Sequence, residues 1–339
     1  MSLSIVGVFM LRKKLKVSVA GLCLLTAGLP LAGPAGASPK LISLVFSSSL
    51  QAPQQVGAER LRHQLMETVG NHFVVDERGG NSVGSENAIL AATRAGSVDM
   101  AVLTASVVSS SVPALGVFDI PFLFRDAAHA RAVAEGPAGA AIAAKFAEKG
   151  LVLLAIGKQG FRNLTNSKRP IREPADLKGL KIRVLPNPVY QMTFKALGAE
   201  VVPMEYPLVY AALKDGRIDG QENPLQTIAS GHLQDVQKYL SLTSHFFSAI
   251  LFVANREMFE KLDPADQALL IAAAKQGADA TWRSGDDAEA KRLQLLRSEG
   301  MEVIDTINRQ SFVDAVKPLD PEFEKLFGKD LLTAIRSTP

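Results

Sequence analysis

Strand-like and helix-like runs alternate twice along this chain, and that alternation restricts the possible folds more than any composition figure does. "KLISLVFSSS" is a β-type run that ends in serines. From Gln54 to Val69 the apolar residues Val56, Leu61, Leu65, Met66 and Val69 recur at helical spacing. "HFVVDE" reads as a second strand, "RGGNSVGS" as a loop, and "SENAILAATRAG" as a helix with a Ser85 cap and a Gly96 stop. "VDMAVL" is a third strand. The order then repeats: "LKIRV" is a strand, Asn187-Pro188 open the helix "VYQMTFKAL", and Gly198 stops it. "EVVPM", "PLVYAALKDG" and "RIDGQEN" continue as strand, helix and strand. Repeated β-α-β units favour a mostly parallel sheet covered by helices, and two such blocks predict two lobes. From Pro264 more than thirty residues carry no β run, so the C-terminal third adds helices.

The first residues follow another logic. Arg12, Lys13, Lys14 and Lys16 precede an apolar run and the small-residue site Ala35-Gly36-Ala37, the layout of a secretory signal peptide over residues 1–37. Pro30, the glycines and the A-x-A site argue against a retained membrane anchor, and Met10 is an alternative start. Cleavage after Ala37 lowers Lys+Arg from 37 to 33 against 34 Asp+Glu, so the apparent basicity belongs to the signal and gives no nucleic-acid footprint. The single cysteine, Cys23, leaves with it and lacks a lipobox setting. The mature chain then has no disulfide or thiol chemistry and must be stabilised by its core. No later segment reads as a membrane span. The expectation is an exported soluble protein.

In open α/β sheets ligands gather outside the carboxyl ends of the strands. Arg183 lies at such an end, one turn before a helix N-terminus. Two readings stand side by side: a cation that grips a carboxylate bidentately, or a solvated edge arginine alongside Lys181. Arg162 follows the apolar run "LVLLAIG" and reads as a second cation at a strand end, and Asn223, before Pro224, as a polar group at a third. Together the three point to a shared site. Gly80-Asn81-Ser82-Val83-Gly84 matches the G-x-S-x-G elbow of a serine hydrolase, with Ser82 as nucleophile. Asp76 to Gly79 intervene after the strand, however, and too few strands precede it. The histidines His63, His72, His129, His232 and His245 have no zinc spacing, and no phosphate-binding loop is present. We therefore expect no metal, no cofactor and no catalytic residue. His129 reads as solvated, Trp282, Phe118, Phe122 and Phe124 as core, and Asp219 and Glu222 as structural.

The stretches "GSVDMAVLTAS", "LGVFDIPFLFRDAAHARAVAEGP", "GFRNLTNSKRPI", "DLKGLKIRV", "ALGAEVVPM" and "VYAALKDGRIDGQENPL" occur in an order that resembles the DctP-type solute-binding proteins of TRAP transporters, over roughly Leu41 to Asp286. The resemblance implies a two-lobed periplasmic-binding-protein fold, each lobe a mixed, mostly parallel sheet flanked by helices, with a long C-terminal helical region. It implies lobe I over 38–159 plus 248–287 and lobe II over 160–247 plus 288–339, with the ligand cleft between them. It also implies a periplasmic receptor, not an enzyme, that delivers an organic acid to small and large membrane subunits. By the same resemblance Arg183 forms the main salt bridge to the substrate carboxylate, Arg162 and Asn223 add polar contacts, and Thr104, Ser106 and the serines around Ser48 set specificity. Leu208 and Gln159 depart from the usual family pattern, which leaves the ligand's identity open. A hydroxylated monocarboxylate such as a sugar acid is the expected ligand. The alternatives are a C4-dicarboxylate, with Arg162 on the second carboxylate, a Ser82 hydrolase, and an exported adhesion module without a small ligand.

Overall fold

The computed structural model describes residues 39–49, 51–69, 72–283 and 286–339; the expected signal segment, Cys23 included, lies outside the described residues. The first block runs β1 (Lys40–Phe46), α1 (Pro53–Val69), β2 (Phe73–Gly79), α2 (Glu86–Arg94) and β3 (Met100–Thr104). β1 pairs in parallel with both β2 and β3, as helical crossovers require. The short α3 (Ala105–Val108), then α4 (Ala127–Glu135) and α5 (Pro137–Ala143), lead into β4 (Leu151–Asn166). The second block is β5 (Lys181–Val184), α6 (Pro188–Ala196), β6 (Glu200–Pro203), α7 (Val209–Lys214), β7 (Gly220–Pro224), α8 (Leu225–Ser230) and β8 (Tyr239–Ser241). β5 pairs in parallel with β6 and β7. The chain then returns through β9 (Phe247–Asn255), α9 (Arg256–Glu260), α10 (Pro264–Trp282), α11 (Asp286–Ser298) and β10 (Glu302–Ile304). It finishes with α12 (Arg309–Val316), α13 (Asp320–Phe327) and α14 (Lys329–Ser337).

The strand order is β2-β1-β3-β9-β4-β7-β5-β6, with β8 beside β4 and β10 beside β8. β4 and β9 run antiparallel to their neighbours and join the two parallel blocks. This corrects the sequence reading of Arg162. The strand does not stop after its apolar run but continues for 16 residues, so Arg162 lies inside it. The continuation uses irregularities between Leu153 and Ala155 and between Lys158 and Gly160. Gly160 has φ +126°, which a side-chain-bearing residue rarely adopts, and here the strand hands over from β9 to β7 and β8.

Helix starts follow the local chemistry. The Ser85 side chain accepts from Ala88 N, and the Asn187 side chain accepts from Val189 N and Tyr190 N ahead of Pro188. α1 buries Ala58, Leu61 and Leu65, whereas Val56 and Met66 of the same apolar series are exposed. Phe118, Phe124 and Trp282 are core residues, and the Trp282 indole donates to Ile156 O of β4 at 2.9 Å. Phe122 is only partly buried and lies under the Arg309 guanidinium. His129 is a second correction. It is buried rather than solvated, with Nδ1 accepting from Arg125 N and Nε2 facing Ile335 O at 3.0 Å, because α14 covers it.

Candidate ligand-binding cleft

Four strands of the two parallel blocks end around one polar cleft. Ser47 and Ser48 follow β1, Thr104 ends β3, Arg183 and Leu185 lie at the end of β5, and Asn223 is next to last in β7. Gln54 of α1, Glu86 of α2, Gln159 and Arg162 of β4, Tyr206 and Thr227 complete the lining with Ala52. Five of the six residues singled out in the sequence therefore meet: Arg183, Arg162, Asn223, Thr104 and Ser48. Ser106 does not. Its hydroxyl is turned away to Asp119 at 2.5 Å and to the Tyr190 hydroxyl at 3.1 Å, so the position after Thr104 belongs to a buried support network. Asn187 Nδ2 joins that network by donating to Asp119 Oδ2 and to Ser106 O. Burial lifts the Asp119 carboxyl to about 7, against the hydrogen bonds from Ser106 and Asn187.

The two arginines are both buried, and their situations differ. Arg162 Nε donates to Glu222 Oε2 at 2.5 Å, and its Nη2 reaches Glu222 Oε1, Glu222 O and Asn223 Oδ1. Its guanidinium also stacks on Tyr190, 5.5 Å from the ring centre. Against their burial, the charges of Arg162 and Glu222 stabilise one another, which holds the arginine above and the carboxyl below its ordinary value. His245 Nε2, 3.2 Å from Glu222 Oε2, closes the cluster, and burial pushes that imidazole down.

Arg183 is 0% exposed, so the solvated-edge reading fails: β5 lies between β6 and β7, inside the sheet. Its Nε donates to Met204 O at 2.8 Å, while Nη2 is buried without a hydrogen-bond partner. Among the described residues no carboxylate forms an ion pair with it. Burial pushes the guanidinium down to about 10, against the opposing pull of Glu222, and it stays charged at neutral pH. Ser47 Oγ, Ser48 Oγ, Gln54 Oε1 and Thr227 Oγ1 are likewise buried without partners, and all four residues line the same cleft. Native interiors rarely leave such groups unsatisfied, and their concentration in one place marks a polar binding site.

Sequence reasoning missed Gln54, Glu86, Tyr206 and Thr227. Each sits on a helix or turn with no local signature, and only the topology brings them to the strand ends. Three hydrogen bonds cross the rim: Asn87 Nδ2 to Glu205 Oε1 at 2.6 Å, Gln226 Nε2 to Gln51 O at 2.6 Å, and Ser49 Oγ to the Tyr206 hydroxyl at 3.2 Å. The would-be elbow serine, Ser82, is exposed on a 3-10 turn at Asn81–Val83 and does not line the cleft.

A mixed sheet flanked by helices, with a polar cleft at its strand ends, defines an α/β solute-binding protein of the two-lobed periplasmic class. More particularly, the chain belongs to the bacterial extracellular solute-binding proteins, family 7 (DctP), whose pattern it matches over residues 46–326. A solute-binding protein of Verminephrobacter eiseniae is 40% identical over 86% of this chain and 87% of that protein. The 2,3-diketo-L-gulonate-binding periplasmic protein YiaO of Escherichia coli is 32% identical over 91% and 93%. The crystal structure of a Bordetella TRAP periplasmic solute-binding protein, with density interpreted as pantoate, superposes with a TM-score of 0.86. It is 38% identical, over 88% of this chain and 99% of that one. Members of this family are solute receptors rather than enzymes.

Proposed function

We propose that this chain is a periplasmic receptor that captures a hydroxylated monocarboxylate of the sugar-acid type and passes it to the membrane subunits of a TRAP transporter. Arg183 is the anchor in this reading, and one observation carries it: a fully buried guanidinium with an unpartnered Nη2 and no carboxylate ion pair. A solute carboxylate would supply the missing acceptor through two parallel bonds. Asn223, Thr104 and Ser48 contribute to the same site, with Arg162 behind them as a support. The lobes are 38–159 plus 248–287 and 160–247 plus 288–339, and they close over the solute. The unpartnered hydroxyls of Ser47, Ser48 and Thr227 suit a ligand rich in hydroxyl groups. Pantoate and 2,3-diketo-L-gulonate, the solutes named for two relatives, are both hydroxylated monocarboxylates. The C4-dicarboxylate reading is disfavoured because Arg162, its intended second anchor, already has Glu222 as counter-ion.

Removing one side of a buried, hydrogen-bonded charge pair costs roughly 2–5 kcal/mol. Arg183→Gln is therefore expected to weaken binding of D-galactonate, D-erythronate or pantoate, whichever the wild type takes in calorimetry, by at least about thirtyfold. Unchanged affinity in a folded variant overturns the assignment.

A further inference from the structure

We propose that Glu86 is the specificity determinant of the cleft, accepting hydrogen bonds from the solute's hydroxyl groups and excluding solutes with a second carboxylate. The inference rests on the preceding reading, in which Arg183 takes the first carboxylate. Glu86 is the first residue of α2, where carboxylates ordinarily face water and the helix dipole. Here Ser85 already serves as the cap, and the Glu86 side chain turns inward to 8% exposure. Thr104 N and Thr104 Oγ1 both donate to its Oε1 at 3.1 Å, and Gln54 Nε2 reaches the same oxygen at 3.5 Å. Among the described residues, every hydrogen bond made to this carboxyl falls on Oε1. Two elements, α1 and the end of β3, thus hold one oxygen and leave Oε2 to the cleft that Glu86 lines.

The cleft therefore presents two kinds of unmet demand. Arg183 Nη2 can only donate, so it requires an acceptor. Glu86 Oε2, when ionised, and the buried unpartnered Gln54 Oε1 can only accept, so they require donors. A sugar acid meets both, with a carboxylate at one end and hydroxyls along its chain. A dicarboxylate of the same length brings a second acceptor-only anion to a carboxylate in a poorly hydrated site, and the charge of nearby Glu205 adds to the repulsion. Burial already lifts the Glu86 carboxyl to about 7 against the bonds from Thr104 and Gln54, a sign of how little negative charge this site tolerates.

Two matched pairs isolate the effect, because their members differ only in a terminal CH2OH or carboxylate: D-galactonate with galactarate, and D-erythronate with meso-tartrate. Calorimetric titrations are run at about pH 8.5, where a carboxyl near 7 is ionised. The wild type is expected to prefer the monocarboxylate of the pair it binds by at least about tenfold. In Glu86→Gln, which keeps the shape and removes the charge, that preference is expected to fall by about tenfold or more, with the melting temperature little changed. A preference that stays within about twofold of wild type overturns the inference. A wild type that binds the dicarboxylate as well as its partner overturns it too, and that arm needs no variant to fold. Arg183→Gln is titrated alongside. If it binds normally while Glu86→Gln shifts the preference, the anchor assignment fails and the selector stands.

Discussion

At the residue scale, two buried arginines in one cleft have opposite fates because only one has a carboxylate of its own. Glu222 gives Arg162 a counter-ion, several hydrogen bonds and a fixed orientation, so Arg162 belongs to the protein's own structure. Arg183 has a single backbone acceptor from the protein and depends on something else for the remainder. Breaking a buried pair from one side leaves an uncompensated charge, which costs roughly 3–5 kcal/mol. Glu222→Gln is therefore expected to lower unfolding free energy by about that amount in urea titrations. A loss under about 1 kcal/mol would show that water or Asn223 compensates Arg162 without the carboxylate. The pairing was only half legible in the sequence. The arginines and Asn223 stand out by their position after apolar runs, whereas Glu222 reads as one more acidic residue beside Asp219. What assigns it to Arg162 is the β4–β7 register, which sets Asn163 opposite Asn223 and Leu164 opposite Glu222, and a register is a long-range property.

At the element scale, the caps and the parallel blocks were readable because their causes are local: Ser85, Asn187 and Pro188 act within one turn. The passage of β4 through Gly157 and Gly160 was not, because a bulge inside a long strand looks like a strand end in sequence. His129 is misread for a similar long-range reason, since its cover comes from the far end of the chain. The β4–β7 contact also depends on Gly220. A Cβ there would lie 2.2 Å from the backbone oxygen of Thr165 in the adjacent strand, a clash no rotamer can relieve. Gly220→Ala is expected to destabilise the protein by about 3 kcal/mol or more and to weaken solute binding, since Arg162 and Asn223 share that ladder. A variant with the wild-type melting temperature would mean that the two strands can separate without loss.

At the scale of the whole molecule, the cleft lies where four strand ends from two parallel blocks meet, and β4 and β9 join those blocks within the sheet. A solute can drive closure of the two sides only by binding the closed arrangement better than the open one. Saturation with a bound sugar acid is thus expected to lower the radius of gyration in solution scattering and to raise the melting temperature. At about 100 times the dissociation constant the added stability is roughly 2.7 kcal/mol. Arg183→Gln should lose both responses. Thermal stabilisation without any contraction would instead point to a rigid receptor.

The three hydrogen bonds across the rim carry a kinetic consequence. Asn87–Glu205, Ser49–Tyr206 and Gln226–Gln51 must all rupture before the two sides of the cleft can part. Residence time is thereby governed partly by Asn87, Glu205, Ser49, Gln226 and Gln51, which do not line the cleft, so evolution can retune how quickly the solute leaves while leaving the recognition chemistry alone.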